Sequence, residues 1–275
     1  MSLVINTNVD ALTAYRNLST TQNTLSNAVA QLSSGLRINK AADDAAGLAI
    51  SQNLTAQVNG IGQAVRNAQD GINVVQTADG ALTETQNILQ RLNTLAVQSS
   101  NATYDSQSRS DIQDEVNQDL TELNNIASGT KFNNVALLDG SFSGQTFQVG
   151  YQNNATSQLT VSISGMDSAS IGVSAIDLST QSGAQSAIDT ISTALNTVST
   201  QRAQLGAVQN SLQHTINNLN VTQENLQASN SSIMDTDMAS TMTQYTQANI
   251  LSQAGTAMLK QANSEPNAIL SLLQG

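Results

Sequence analysis

"LTAQVNGIGQAVRNAQDGINVVQTADGALTETQNIL", residues 54–89, is the stretch that sets the architecture. Leu54, Ile61, Ala68, Val75, Leu82 and Leu89 recur every seven residues, and Val58, Val65 and Ile72 fill the companion position. A sustained seven-residue apolar repeat is the mark of helices that pack along a seam. Carried on to Ser100, such a seam is about 47 residues long and spans about 70 Å at about 1.5 Å per residue. That is a rod and not a globule. Asp79 and Gln86 interrupt the companion position, the kind of polar substitution that fixes register at some cost in stability.

A second seam answers the first. Alternating steps of three and four from Ile188 to Ile233 visit fourteen positions, of which ten are apolar: Ile188, Ile191, Leu195, Val198, Leu205, Leu212, Ile216, Leu219, Leu226 and Ile233. Around these, a helix is predicted over about residues 5–34, with Tyr15, Leu18, Leu25, Val29 and Leu32 in its stripe and Gly35 as its C-cap. The helix of the first seam runs from about Ala45 to Ser100. A third follows "SSNATYDSQS", carries Ile112, Val116, Leu120, Leu123 and Ile126, and stops near Gly129.

The period then changes: "TFQVG" and "LTVSI" alternate apolar and polar residues and read as two strands of a hairpin. "IMDTDMAS" breaks the last seam, and Met238, Met242, Tyr245, Leu251 and Met258 open another helix that Pro266 should bend or interrupt. The predicted fold is mostly α: a long antiparallel coiled-coil bundle with a small β-hairpin region. Pairing the two seams brings the chain ends together, and with them two polar junctions, "LSSGLRINKAADDAAGLAIS" at residues 32–51 and "IMDTDMAS".

Composition excludes more than it proposes. The chain has 275 residues, of which 11% are charged and 3% aromatic, with no Trp, no Cys and one Pro. Few large rings argue against a thick core. A net charge of −11 argues against a nucleic-acid partner, which needs a basic stripe. No stretch approaches the ~18 apolar residues of a membrane span, and "MSLVINTNVDALTAYR" has neither the basic nor the apolar region of a signal peptide. Residues 1–40 hold only Arg16, Arg37, Lys40 and Asp10 as charges, and residues 241–275 only Lys260 and Glu265. Two ends with regular apolar positions and so little charge suggest surfaces kept for a partner.

Chemistry is hard to find. His214 is the single histidine, so with no Cys and no HExxH there is no zinc set. Asp43 and Asp44 are neighbours on the chain. On a helix they point about 100° apart, so they suit a helix start better than shared acid–base work, with Asn39 as a candidate N-cap. No GxGxxG or GxxxxGK[ST] follows a strand. Met238, Met242 and Met258 read as packing residues. No enzyme, cofactor or metal site is expected.

"LSSGLRINKAADDAAGLAI" closely resembles the N-terminal signature of bacterial flagellins. "LQRLNTLAVQSSNAT" with "SDIQDEVNQDLTELNNIASGTKFNN" looks like that family's next block, "FQVG" the start of its small β region, and "ANILSQAGTAMLKQANSEPNAILSLLQ" its C-terminal end. The resemblance covers about residues 1–150 and 183–275, and the short middle marks a minimal form without large outer domains. It implies a structural subunit that polymerises into the filament for motility. The neighbouring alternatives are a hook–filament junction protein, and a secreted coiled-coil adhesin or effector.

What the resemblance implies can be laid along the chain. Residues 1–34 and 241–275 are terminal helices of an inner tube, with Leu18, Leu25, Leu32, Leu251, Met258, Leu270 and Leu273 at the polymerising ends. Residues 35–46 and 235–240 are spokes, residues 47–130 and 183–234 a helical rod, and residues 131–182 a short β-containing insert. The implied partners are other copies of the chain, the flagellar export apparatus and its chaperone, and hook-associated and cap proteins. The implied location is extracellular, reached without a cleaved signal peptide. In the family the long N-terminal helix and its neighbour also bind the vertebrate Toll-like receptor for flagellin. The matching residues here are Gln90, Arg91 and Leu95, with Glu115 as the acidic member: a planar multi-donor cation with an apolar anchor one turn on.

Overall fold

The computed structural model of the chain describes the backbone of residues 7–274 and the side chains of residues 7–265. The helices are α1 (Val9–Ser34), α2 (Ala45–Ser99), α3 (Ser106–Gly129), α4 (Gln181–Met234) and α5 (Met238–Gln274). Between α3 and α4 lie two small antiparallel sheets, β1 (Lys131–Phe132) with β2 (Val135–Ala136), and β3 (Gln145–Gln148) with β4 (Gln158–Val161). The architecture is the mostly helical one that the seams predict. The chain forms two compact units, Gln57–Glu224 and, from its two ends, Met1–Ala56 with Asn225–Gly275.

In Gln57–Glu224 the α2 seam is enclosed. Ile61, Ala68, Val75, Leu82 and Leu89 are at most 1% exposed. Val75, Leu82 and Leu89 share their core with Val116 and Leu123 of α3, with Ile191, Val198 and Leu205 of α4, and with Leu137, Leu138, Ile163 and Leu178 from the connecting segment, while Ala68 packs in a second cluster with Ile72, Val149, Leu212 and Ile216. The segment between α3 and α4 therefore contributes to the main core and builds none of its own.

The buried stripe of α4 differs in one respect from the predicted one. Ile191, Val198, Leu205, Leu212 and Ile216 are common to both, but their companions are Ala184, Ala187, Ala194 and Gln201, while Ile188 and Leu195 are half-buried. Small side chains let the neighbouring backbone approach, so the alanines face inward and the larger aliphatics close the flank. Gln201 is the buried polar member: its Oε1 accepts from the Ser164 N–H and its Nε2 donates to the Ser162 carbonyl, both at 3.3 Å.

The two polar interruptions of the α2 seam meet one residue. Arg202 of α4 donates from Nε to Asp79 Oδ1 at 2.8 Å and from Nη1 to Gln86 Oε1 at 2.7 Å. Ion pairing with Asp79 raises the guanidinium's already high pKa. A planar fork held between positions seven residues apart defines the register of α4 against α2.

Two helix glycines answer to the β region. A Cβ on Gly60 would fall 2.8 Å from Tyr151 Cβ, and one on Gly71 would fall 3.4 Å from Phe147 Cδ1 and 3.2 Å from Leu212 Cδ1. The predicted hairpin is present, with Phe147 opposite Leu159. The β1–β2 hairpin was not foreseen. Its turn is Asn133–Asn134, with φ of 46° and 68°; Asn is the residue other than Gly that tolerates two left-handed positions in a tight turn.

In the unit built from the two ends, α1 pairs with α5. Asn8 caps α1, its Oδ1 accepting from the Ala11 N–H at 2.9 Å, and Gly35 closes it with φ 73° and its N–H on the Gln31 carbonyl. The helix thus begins at Val9; residues 5 and 6, placed in it by the sequence pattern, lie outside the described residues. Pro266 does not interrupt α5, which runs through it to Gln274.

Throughout the helices threonine hydroxyls donate to the carbonyl one turn back. Thr20, Thr77, Thr94, Thr121, Thr197 and Thr246 all do so, at 2.8 to 3.1 Å.

Candidate functional site

The two polar junctions are bonded to each other. Leu36 and Asp235 form an antiparallel bridge, the Arg37 N–H donates to the Met234 carbonyl at 2.6 Å, and the Thr236 N–H donates to the Gly35 carbonyl at 3.0 Å. The Arg37 guanidinium adds a bond from Nη2 to the Ile233 carbonyl at 2.7 Å. Each outgoing helix then starts on an aspartate. Asp44 Oδ1 accepts from the Gly47 N–H at 2.8 Å at the head of α2, and Asp237 Oδ1 accepts from the Ala239 N–H at 2.9 Å at the head of α5.

Asn39 is not the cap that its position suggested. Its Nδ2 donates back to the Ala30 carbonyl and to Ser34 Oγ, at the end of α1. Asp43, exposed, folds back on the preceding turn, accepting from the Asn39 N–H at 3.0 Å and the Lys40 N–H at 2.8 Å, and these two bonds lower its pKa. Ile38 is buried beneath this turn at 2% exposure, and a Cβ on Gly47 would stand 2.7 Å from its Cδ1. The opening "GLRINKAADDAAG" is therefore a folded joint whose polar residues are spent on its own backbone.

Beyond the joint, α1 and α5 approach closely where Gly255 faces Leu18. A Cβ there would lie 3.2 Å from Leu18 Cδ1. Of the residues expected at the polymerising ends, Leu18, Leu25 and Leu32 are half-buried within the unit, whereas Leu251 is 49% and Met258 66% exposed. Leu270 and Leu273 lie in α5 beyond the residues whose side chains are described. Val9, Leu12 and Tyr15 on α1 and Met242 and Ile250 on α5 are exposed as well. Each helix has one stripe to turn to its partner and keeps other apolar residues outside.

The residues with an implied receptor role lie elsewhere. Gln90 and Arg91 are exposed on α2, and Arg91 Nε and Nη2 both donate to Glu115 Oε1 of α3, the Nε bond at 3.0 Å. Leu95 is not an outward anchor. It is 2% exposed, next to buried Leu92, Ala96 and Ser99, which continue the seam from Leu82 and Leu89. Asp119, one turn beyond Glu115, has an unpartnered Oδ2, and partial burial and the Glu115 charge raise its pKa.

His214 is exposed on α4. Among the described residues no cluster of three or more His, Cys, Asp or Glu is placed to hold a metal ion, and no helix is long and apolar enough to cross a membrane.

Long helices locked in register, a joint bonded to itself and apolar residues left on a terminal helix pair define a structural subunit built to pack against others. Comparison with known proteins gives the family. Residues 5–143 match the bacterial flagellin N-terminal helical region and residues 188–273 the bacterial flagellin C-terminal helical region. The chain is 46% identical to the flagellin of Halalkalibacterium halodurans over 272 residues, covering 99% of this chain and 100% of that one. It is 43% identical to the flagellin of Bacillus subtilis (98% and 99% covered) and 41% identical to the flagellar filament 33 kDa core protein of Treponema phagedenis (99% and 100% covered). The chain belongs to the bacterial flagellin family, is of minimal size, and is a structural subunit of the flagellar filament.

Proposed function

We propose that the α1–α5 pair is the surface by which copies of this chain assemble, and that filament formation buries it. The observation that carries this is the exposed apolar set of the pair, from Leu12 and Tyr15 at 54% and 63% exposure to Met258 at 66%. Residues this apolar gain by transfer out of water, at about 25 cal/mol per Å² of buried area. Few charges oppose it: besides the joint, the ends carry Asp10, Arg16, Lys260 and Glu265. On this reading residues 1–34 and 241–275 form the inner tube, residues 35–46 and 235–240 are the spokes, and residues 47–130 and 183–234 form the rod.

Trypsin tests it. Arg16 and Lys260 are both exposed in the single chain, so cleavage at them should be fast in the isolated subunit and at least tenfold slower in the filament. Equal rates in the two states would remove the assembly role of the pair. Family membership supports the further steps: export through the flagellar apparatus with a chaperone, without a cleaved signal peptide, and capping and hook-associated proteins at the filament ends.

A second reading concerns the host receptor. The ion pair Arg91–Glu115 brings two of the four implied residues together on an exposed face, with Gln90 beside them. Leu95, the fourth, is buried in the core. A reporter assay of wild-type subunit against Arg91→Ala and Glu115→Ala decides it: reduced responses from both variants support receptor binding, and equal responses from all three remove it.

A further inference from the structure

α5 passes through Pro266 without a break. Proline has no N–H, so the carbonyl four residues back, that of Ala262, loses its helical donor. That carbonyl is nevertheless satisfied. Asn8 Nδ2 donates to the Ala262 carbonyl at 2.8 Å, across 254 residues of sequence. The same side chain caps α1 through its other atom, Oδ1, on the Ala11 N–H at 2.9 Å. Its orientation is fixed at both ends: exchanging oxygen and nitrogen would set two acceptors, and two donors, against each other.

We propose that Asn8, the Ala262 carbonyl and Pro266 form a register pin that sets the axial position of α1 along α5. The chain has one proline. One carbonyl inside α5 is thereby stripped of its own donor, and a single side chain from α1 reaches it. Sliding α1 by a turn would orphan that carbonyl and leave the Asn8 amide without its acceptor, whereas leucine and alanine contacts can slip with little loss. Among good N-cap residues only Asn has both an acceptor for the cap and an amide donor at the same reach; Asp and Ser keep the cap and lose the donor. The pin then decides which outward apolar residues of α1 and α5 stand side by side. Its consequence for assembly rests on the reading of that pair as the assembly surface.

The test is a mutant cycle with Asn8→Asp and Pro266→Ala. Alanine at 266 returns an N–H to the Ala262 carbonyl, so the amide of Asn8 becomes dispensable. In the wild-type background Asn8→Asp should raise the critical concentration for filament formation roughly three- to tenfold, as loss of one hydrogen bond implies. In the Pro266→Ala background it should change it less than twofold. The rate of tryptic cleavage after Arg16 in the isolated subunit should follow the same pattern, which keeps the cycle readable should a variant not polymerise. Asn8→Ser, which also retains a cap, should behave like Asn8→Asp. An effect of Asn8→Asp that is equal in both backgrounds, or absent from the first, overturns the pin. Failure of the assembly reading shows separately, as equal cleavage of wild-type subunit and wild-type filament.

Discussion

Leu82 and Leu89 on α2 are fully enclosed, while Leu12 and Tyr15 on α1 stand 54% and 63% exposed. Both helices carry apolar residues at helical spacing, and the difference lies in what surrounds them. α2 shares its core with α3, α4 and the segment between them. α1 has α5 for a partner, and two helices can each hide only one stripe. Among the described residues of the end-derived unit the buried hydrophobics are Ala28, Ile38 and Ala248, all small apart from the isoleucine under the joint. One unit is completed by its own chain. The other is left to be completed by its neighbours.

Matched substitutions test that contrast most severely. Leu212 is fully buried, so Leu212→Asp places an unpaired carboxylate in the core and should destabilise the isolated subunit by about 3–5 kcal/mol. Leu251→Asp, at a half-exposed site, should change the same urea melt by less than about 0.5 kcal/mol while abolishing polymerisation. If both variants melt alike, the two units do not differ as described.

A smaller effect separates two glycines of α2. Nothing lies within 4 Å of a Cβ built on Gly80, so Gly80→Ala should gain roughly 0.5–1 kcal/mol from helix propensity. Gly60→Ala would set its methyl 2.8 Å from Tyr151 Cβ and should lose stability. Urea midpoints of the two variants should move in opposite directions; a gain from both would show that the β region does not press on the helix at Tyr151.

The smallest effect concerns Asp119. Desolvation and the Glu115 charge raise its pKa in the folded chain above the ordinary carboxylate value. A raised folded pKa means that this group favours the fold when protonated, and that this contribution is lost as pH rises through the folded pKa. Asp119→Asn should therefore raise Tm slightly at pH 7 and leave it unchanged below about pH 3, under the ordinary aspartate pKa. A gain of equal size at both values would assign the effect to packing instead.

The sequence makes the rod legible because its signal is a repeat: nine of its positions from Leu54 to Leu89 follow one spacing. The hairpin at Phe147 and Leu159 was equally plain from its alternation. What escaped were features decided by partners distant in the chain. Ala184, Ala187 and Ala194 face the core in place of the larger Ile188 and Leu195, which no spacing rule on α4 records. Arg202 reads as one more interruption of its own seam until Asp79 and Gln86 stand across from it. Leu95 falls one position before Ala96, on neither row of the α2 repeat, so spacing alone does not put it inside; the outward reading came from family resemblance. Asn39 was the candidate cap, and Asp44 takes that role instead, a choice that depended on where the chain leaving α1 turns.

The threonine hydroxyls that fold back on their own helices have a consequence for how such a surface meets another. A hydroxyl already bonded to a carbonyl one turn away takes its partner with it when water leaves. Removing an unpaired hydroxyl from water costs about 1–3 kcal/mol, and a paired one much less. In a chain with only 11% charged residues, the threonine part of the helices' polar coat is thus self-satisfied. It is wettable when the chain is alone and inexpensive to dehydrate when copies close around it. Contacts made over such a coat depend little on ion pairs, so their strength should be only weakly screened by salt.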